Sequence, residues 1–344
     1  MDTEFFSLAA GVGTKSSNGE WLEVFYPAPF FQPDAWLVDA LASVTGYQGG
    51  NQVIELDSTT CHALEEVFLQ HNLLDHTLVL GALEASQNPR VLTFLATDAA
   101  PASTPEAYLK LHLISHRFVK PRSINLDGVF SLLPNVAWTC RGAIDPAELP
   151  HRQLAARSRG EVLRVYSIDR FPPMVNYVVP SGVRIADAAR VRLGAYLGEG
   201  TTVMPAGFVN FDAGAEGPCM IEGRISSGVF VGAGSDLGGG CSTMGTLSGG
   251  GTARVSVGKN CLIGANAGVG IALGDRCTLE AGLYVTAGTK VSLLDDSGRV
   301  VDTVKASSLS GRSDLVFRRH SVTGAVECLP NRSSIALNES LHNN

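Results

Sequence analysis

No histidine occurs between His151 and His320. The gap removes two chemistries from residues 152 to 319: a zinc held by three imidazoles with one position open, and an imidazole general base. Any base in that span has to be a carboxylate. The cysteines (61, 140, 219, 241, 261, 277 and 328) are odd in number and include no Cys-x-x-Cys pair. Neither a disulfide framework nor a zinc ribbon is indicated, and small buried hydrophobes are the ordinary reading. No apolar run approaches the roughly 20 residues that span a bilayer. The opening MDTEFFSLAAGVG carries acids where a secretion signal carries lysine or arginine, so a cytoplasmic protein is expected. Charged residues are only 17%, with a net charge of −7 and a pI near 5.6, which argues against nucleic acid or an anionic membrane as partner. Phosphate loops are missing too. GVGTKS at 11 to 16 and the lone Gly258-Lys259 both fail Gly-x-x-x-x-Gly-Lys-Ser/Thr.

What is abundant is glycine, 38 in 344 residues, with 45% hydrophobic residues. The chain is long enough for two domains and a full core. Between about 177 and 291 aliphatic residues recur every six positions. Val179, Ile185, Val191, Leu197, Val203 and Val209 are followed, after a break, by Ile225, Val231 and Leu237; then come Val257, Ile263 and Val269, and finally Leu273, Leu279, Val285 and Val291. A period of six fits neither a helix nor a long alternating strand. It fits a left-handed parallel β-helix, in which each short strand turns one aliphatic inward and three strands close a triangular coil. Glycines following the aliphatic, as at Gly198, Gly258, Gly264 and Gly274, are expected to serve corners needing unusual backbone angles. The breaks at 211 to 221 and 243 to 252 are expected to be loops extruded from the coil.

Before the repeat, EWLEVFYP, NQVIELDS, HTLVLGAL and PRVLTFLAT read as strands, and DAWLVDALASV, HALEEVFLQH, PEAYLKLHLISH and PAELPHRQLAAR as helices. The expected fold is therefore mixed. An α/β N-terminal domain (1–174) precedes the β-helix (175–291), and RVVDTVKA and SDLVFRRHSVTGAVECL form a small C-terminal β extension that ends in a polar tail (292–344).

Hexapeptide β-helices occur mostly in acyl-CoA or acyl-carrier-protein transferases and, as a minority, in γ-class carbonic anhydrases. Without coil histidines the second reading fails, and acetyl transfer to an amino sugar loses its usual base. The carboxylates of the coil are Asp187, Glu199, Asp212, Glu216, Glu222, Asp236, Asp275 and Glu280. Within EGRISSGVFVGAGSDLGGGCSTMGTLSGGG, Glu222 directly precedes the aliphatics of a strand, and alternation puts Arg224 on the same face. An exposed ion pair and a reactive carboxylate both satisfy this pattern.

MIEGRISSGVFVGAGSDLGGGCSTMGTLSGGG, VGKNCLIGANAGVGIALGDRCTLEAGLYVTAGTKV and VKASSLSGRSDLVFRRHSVTGAV resemble the tetrahydrodipicolinate N-succinyltransferase family, in its longer actinobacterial and pseudomonad-like class. The resemblance implies a homotrimer with active sites between subunits. Each site would move succinyl from succinyl-CoA, a co-substrate and no permanently bound cofactor, to the amine of L-2-amino-6-oxopimelate in diaminopimelate and lysine synthesis. It gives Glu222 the catalytic role, as general base or as acyl-anhydride nucleophile. The implied coenzyme contacts are Arg224, Gly239, Ser242, Ala265, Glu280, Ala281, Gly288, Lys305, Arg318, Arg319, His320 and Ser321. Some members carry acids that ligate a metal where this chain has Ala189 and Ala206; alanine ligates nothing, which argues against magnesium. Another acyl-CoA N-acyltransferase, or a non-catalytic acyl-CoA-binding scaffold, would share the coil; the scaffold would have no need of Glu222.

Overall fold

A computed structural model describes residues 5–245 and 254–331. The chain forms two compact units. The first comprises the chain up to Leu113 and Ile124–Pro172; the second comprises Ile114–Ser123 and the chain from Pro173 onward.

In the first unit an antiparallel sheet runs in the order Trp21–Phe25, Ser7–Lys15, Arg90–Leu95, Gln52–Leu56, with Phe30–Phe31 added beside Ser7–Lys15. The failed phosphate loop GVGTK lies inside its longest strand, where a β carbon on Gly13 would stand 2.2 Å from the Glu23 carbonyl. Helices Ala35–Thr45, Ser58–Gln70 and Leu74–Glu84 supply Leu37, Leu41, Leu64, Phe68, Leu80 and Leu83 to a core shared with Leu8, Leu92 and Phe94. The middle helix is capped by Asp57, whose carboxylate accepts from Thr60 N–H at 2.7 Å. A second sheet places Val136–Thr139 between Gly142–Ile144 and Val165–Asp169, beside helix Leu149–Ser158. HTLVLGAL is a correction: it is helical, not a strand. Leu80 and Leu83, three apart, are buried while Leu78 faces solvent, a helical spacing that a short apolar run conceals.

The second unit contains the coil. One face stacks Arg184–Ile185, Thr201–Val203, Cys219–Ile221, Asp236–Leu237, Leu262–Ile263, Thr278–Leu279 and Leu315–Arg319 in parallel register, aligning Ile185, Val203, Ile221, Leu237, Ile263, Leu279 and Phe317. A second face aligns Val191, Val209, Ile225, Thr243, Val269 and Val285. The third aligns Leu197, Ala215, Val231, Val257 and Leu273. The predicted aliphatics from Val191 to Val291 are all buried. Ile185 is only partly covered, and Val179 is 73% exposed, outside the first coil. Burying each such side chain is worth about 1.5–3 kcal/mol, so the column is a large contribution to this unit's stability.

Two further expectations are corrected. Residues 211 to 221 are not an extruded loop but two coil strands, Ala213–Ala215 and Cys219–Ile221. The six-residue step passes through Ala215, whose small side chain hid it from an aliphatic count. The break in period comes instead after Ile221, where Ile225 follows at a step of four. The other break, at 243 to 252, falls mostly outside the described residues. The glycines behind the aliphatics also serve a different purpose. Gly198 and Gly264 do not hold left-handed angles; β carbons there would meet the next coil's backbone at 1.8 and 2.4 Å. Left-handed φ falls two residues later, as at Gly240 (φ 70).

The C-terminal segment continues the stack. Lys290–Leu294 pairs with Val300–Lys305 and Val326–Pro330, and Leu315–Arg319 both crowns the last coil and pairs with Val326–Pro330.

Candidate active site

Glu222 occupies the corner between the first and second faces. In the coils on either side, this corner spans 203 to 209 and 237 to 243; in its own coil it spans only Ile221 to Ile225. The chain cuts the corner two residues short, at Glu222-Gly223-Arg224. Its backbone is fixed there, because Glu222 N–H donates to Leu237 O at 2.9 Å and its carbonyl accepts from Gly240 N–H at 3.2 Å. Glu222 is half-buried, and Oε2 points toward Gly239, where a β carbon would stand 3.4 Å away.

The same corner in successive coils carries Gly239, Ala265 and Ala281. Asn266 N–H donates to Gly239 O at 2.9 Å and Gly282 N–H to Ala265 O at 2.8 Å, tying the corners into a ladder. Beyond Ala281, Glu280 accepts from Arg319 N–H at 2.6 Å, bringing the C-terminal hairpin to the end of the row. Stacked strands are about 4.8 Å apart, so the four steps from Glu222 to Arg319 cover roughly 19 Å. A strip of small residues thus joins one carboxylate to a cationic end.

Arg224 and Glu222 form no ion pair among the described residues. Arg224 instead donates from Nη2 to Ser242 Oγ at 2.6 Å, across adjacent strands of the second face. Among the described residues no cation pairs with the Glu222 carboxylate. The outward row continues through Gly268 to Tyr284, whose ring lies over Gly268 as close as 2.0 Å to where a β carbon would be. Tyr284 was not singled out from the sequence. Its signal is positional, since it immediately precedes inward Val285 as Arg224 precedes Ile225 and Ser242 precedes Thr243.

The remaining expected contacts form two groups. Gly288 and Lys305 are neighbours, because Ala306 N–H donates to Thr289 O at 2.9 Å and Ser307 N–H to Ala287 O at 3.1 Å. Arg318, Arg319, His320 and Ser321 share the hairpin. Arg318 pairs with buried Glu327 at 2.9 Å, Arg319 Nη1 donates to Gly324 O at 3.0 Å, and His320 Nδ1 accepts from Thr323 N–H at 3.1 Å. With Nδ1 accepting, the ring proton of the neutral imidazole sits on Nε2. Arg318 is tied to Glu327 through Nε and Arg319 to Gly324 through Nη1, so each has further donors that these bonds do not use.

Several other coil carboxylates have structural partners. Asp187 caps a short turn through Ala189 N–H, Glu216 binds Lys120 at 3.0 Å, and Asp275 accepts from Lys259 N–H at 2.8 Å. Lys120 holds the Glu216 carboxyl below its ordinary range. Around Ala189 and Ala206 the residues do not fit a metal. Arg190 already donates to the Ala206 and Gly207 carbonyls at 2.7 and 3.0 Å, putting a cation where ligands would converge. All seven cysteines are free, and only Cys140 is exposed.

Residues 61–131, 133–172 and 254–287 match family models described as tetrahydrodipicolinate N-succinyltransferase N-terminal, tetrahydrodipicolinate N-succinyltransferase middle, and hexapeptide repeat of succinyl-transferase. A 2,3,4,5-tetrahydropyridine-2,6-dicarboxylate N-succinyltransferase of Pseudomonas paraeruginosa is 61% identical over 342 residues, covering 99% of both chains. The chain belongs to the tetrahydrodipicolinate N-succinyltransferase family. A Vibrio cholerae protein of the same name is 54% identical over 340 residues, again with 99% of each chain covered. In structure, a Campylobacter jejuni chain described as a candidate 2,3,4,5-tetrahydropyridine-2-carboxylate N-succinyltransferase superposes with a TM-score of 0.89 at 31% identity, covering 96% of this chain and 94% of that one. The likeness spans both units, as the left-handed coil and the mixed N-terminal unit require.

Proposed function

We propose that the chain transfers the succinyl group of succinyl-CoA to the primary amine of L-2-amino-6-oxopimelate, the opened form of tetrahydrodipicolinate, in diaminopimelate and lysine synthesis. It does so as a homotrimer with sites between subunits. The observation that carries this reading is Glu222 on its shortened corner, at one end of the small-residue strip that leads to Arg319. Side chains larger than alanine along the strip would block an extended pantetheine arm. Exposed Lys305 and Arg319 near the far end suit the coenzyme's phosphates, which bind most strongly to cations that donate hydrogen bonds.

In this mechanism Glu222 is the general base. The amine nitrogen attacks the thioester carbonyl carbon while Glu222 takes its proton, and the tetrahedral oxyanion is stabilised by backbone N–H groups of the glycine-rich corners. Collapse breaks the carbon–sulfur bond, and Glu222 returns the proton to the departing thiolate. Arg224, held by Ser242, positions the succinyl carboxylate or the coenzyme. The alternative, in which Glu222 itself attacks and forms a mixed anhydride, is chemically allowed but exposes a labile intermediate to water.

A thiol-release assay with succinyl-CoA and tetrahydrodipicolinate tests the reaction, and it also separates a transferase from a scaffold that merely holds acyl-CoA. Glu222→Ala is expected to lower kcat by about 10²–10⁴-fold while coenzyme binding and assembly state, followed by light scattering, stay unchanged. Rapid-quench mass spectrometry with succinyl-CoA alone distinguishes the two roles of Glu222. A succinylated Glu222 peptide would establish the anhydride route in place of the base.

A further inference from the structure

The first unit holds a cavity of roughly 390 Å³ lined by Arg141, Ala143, Ile144, Arg152, Ala155, Ala156, Arg159 and Leu163. Its floor is one stripe of helix Leu149–Ser158 and its C-cap: Arg152, Ala155, Ala156 and Arg159 stand at i, i+3, i+4 and i+7, the spacing of a single helix face. The two alanines leave room that longer side chains would fill. Ile144, from the strand Gly142–Ile144, and Leu163 close the apolar part. The arginines form two separate ends. Arg141 and Arg159 share Glu161, whereas Arg152 pairs with Glu148 at 3.1 Å. A rise of 1.5 Å per residue puts the α carbons of Arg152 and Arg159 about 10 Å apart.

The cavity is also electrostatically unlike the chain around it. Between 141 and 170 the charged residues are Arg141, Arg152, Arg157, Arg159, Arg164 and Arg170 against Asp145, Glu148, Glu161 and Asp169, a surplus of cations in a chain of net charge −7. Every cation in this interval is arginine, the side chain that grips a carboxylate with two parallel N–H bonds. The existing pairs leave most of these donors unused. Arg159 lies 3.6 Å from Glu161, beyond hydrogen-bond reach, and Arg152 contributes one Nη2–H to Glu148. Exposed pairs of this kind are worth at most about 1 kcal/mol, so a ligand carboxylate can share or displace them.

We propose that this cavity binds a small aliphatic dicarboxylate, with one carboxylate on Arg152, the other on Arg141 and Arg159, and its methylene chain over Ala155, Ala156, Ile144 and Leu163. All of these residues belong to the first unit, whereas Glu222 belongs to the second. The proposal does not depend on the transfer reaction.

Isothermal titration of the full chain with pimelate, adipate and glutarate, against hexanoate and sulfate at physiological ionic strength, tests it. Saturable binding of at least one dicarboxylate is expected, on the order of tenfold tighter than hexanoate. Arg152→Ala and Arg159→Ala should each weaken it on the order of tenfold, Glu161→Gln should tighten it by removing the competing carboxylate, and Glu222→Ala should leave it unchanged. Circular dichroism of each variant separates loss of binding from loss of fold, and the gain in Glu161→Gln cannot arise from unfolding. Equal binding of hexanoate or sulfate, no saturable binding, or binding that survives both arginine changes and disappears in Glu222→Ala would each overturn the proposal.

Discussion

Glu222 Oε2 lies 3.4 Å from the point where a β carbon on Gly239 would stand. Gly239 does not hold a left-handed φ, so its lack of a side chain is not a backbone requirement. What it provides is space beside the carboxylate. Gly239→Ala should therefore fold normally and lower kcat modestly, and Gly239→Val should lower it about 10²-fold by displacing the carboxylate. Steady-state kinetics beside a melting curve check this; a Tm that falls in step with kcat would assign Gly239 to stability instead.

The coil makes a sharp distinction between glycines. A β carbon on Gly264 would meet Ala281 N at 2.4 Å, part of the next coil's backbone, while nothing lies within 4 Å of one on Gly288. Gly264→Ala should cost about 1–3 kcal/mol or more, as overpacking does, and Gly288→Ala should stay within about 0.5 kcal/mol. Chemical denaturation of both variants provides the comparison. Comparable losses at the two positions would mean that stacking distance does not explain the glycines.

Much of this was legible in the sequence where one physical rule acts alone. The inward aliphatics repeat every six residues because each strand buries one side chain, and nothing else in a coil produces that period. Ala215 escaped because a small residue can fill an inward position without looking hydrophobic, and its omission turned a continuous coil into an apparent loop. The shortened corner at Glu222 was visible only as a break in period; pairing of Ile221 with Val203 and of Ile225 with Val209 was needed to locate it. Segment 114–123 gives no local sign that it joins the second unit. Its place is set by long-range bonds: Arg117 Nε to Leu197 O at 2.6 Å, Arg117 Nη2 to Ser181 O at 2.8 Å, and Lys120 to Glu216. For the site, the motif singled out Glu222 and Arg224 but left an exposed ion pair between them and a reactive carboxylate both open; strand register gives Arg224 to Ser242.

The Arg224–Ser242 bond makes a kinetic prediction. If Ser242 orients a guanidinium that holds succinyl-CoA in both ground and transition states, Ser242→Ala should raise KM several-fold and leave kcat nearly unchanged, the pattern of lost uniform binding. Arg224→Lys should be worse than Ser242→Ala, because an ammonium cannot reproduce the planar fork. Initial rates over a succinyl-CoA series decide. A fall in kcat at constant KM would move Arg224 from coenzyme binding to transition-state stabilisation.

Asp212 offers a test of the segment that joins the second unit. Its Oδ1 accepts from Arg122 N–H at 2.6 Å, and burial raises its carboxyl above the ordinary aspartate range, against the pull of that N–H and of Arg254 and Arg122. The folded chain thus binds the Asp212 proton more readily than the unfolded chain, whose aspartates titrate near pH 3.9. Between that value and the raised one the folded state carries the extra proton, so this group's contribution to stability declines as pH rises through the window. Asp212→Asn removes the titration and keeps an acceptor oxygen for Arg122. The wild-type chain should therefore gain stability relative to Asp212→Asn as pH falls from 7 toward 4, measured by urea unfolding at each pH. A difference that moves the other way would mean that the Arg122 N–H and the neighbouring guanidinium groups outweigh burial, and that Asp212 anchors this segment as a stabilised carboxylate.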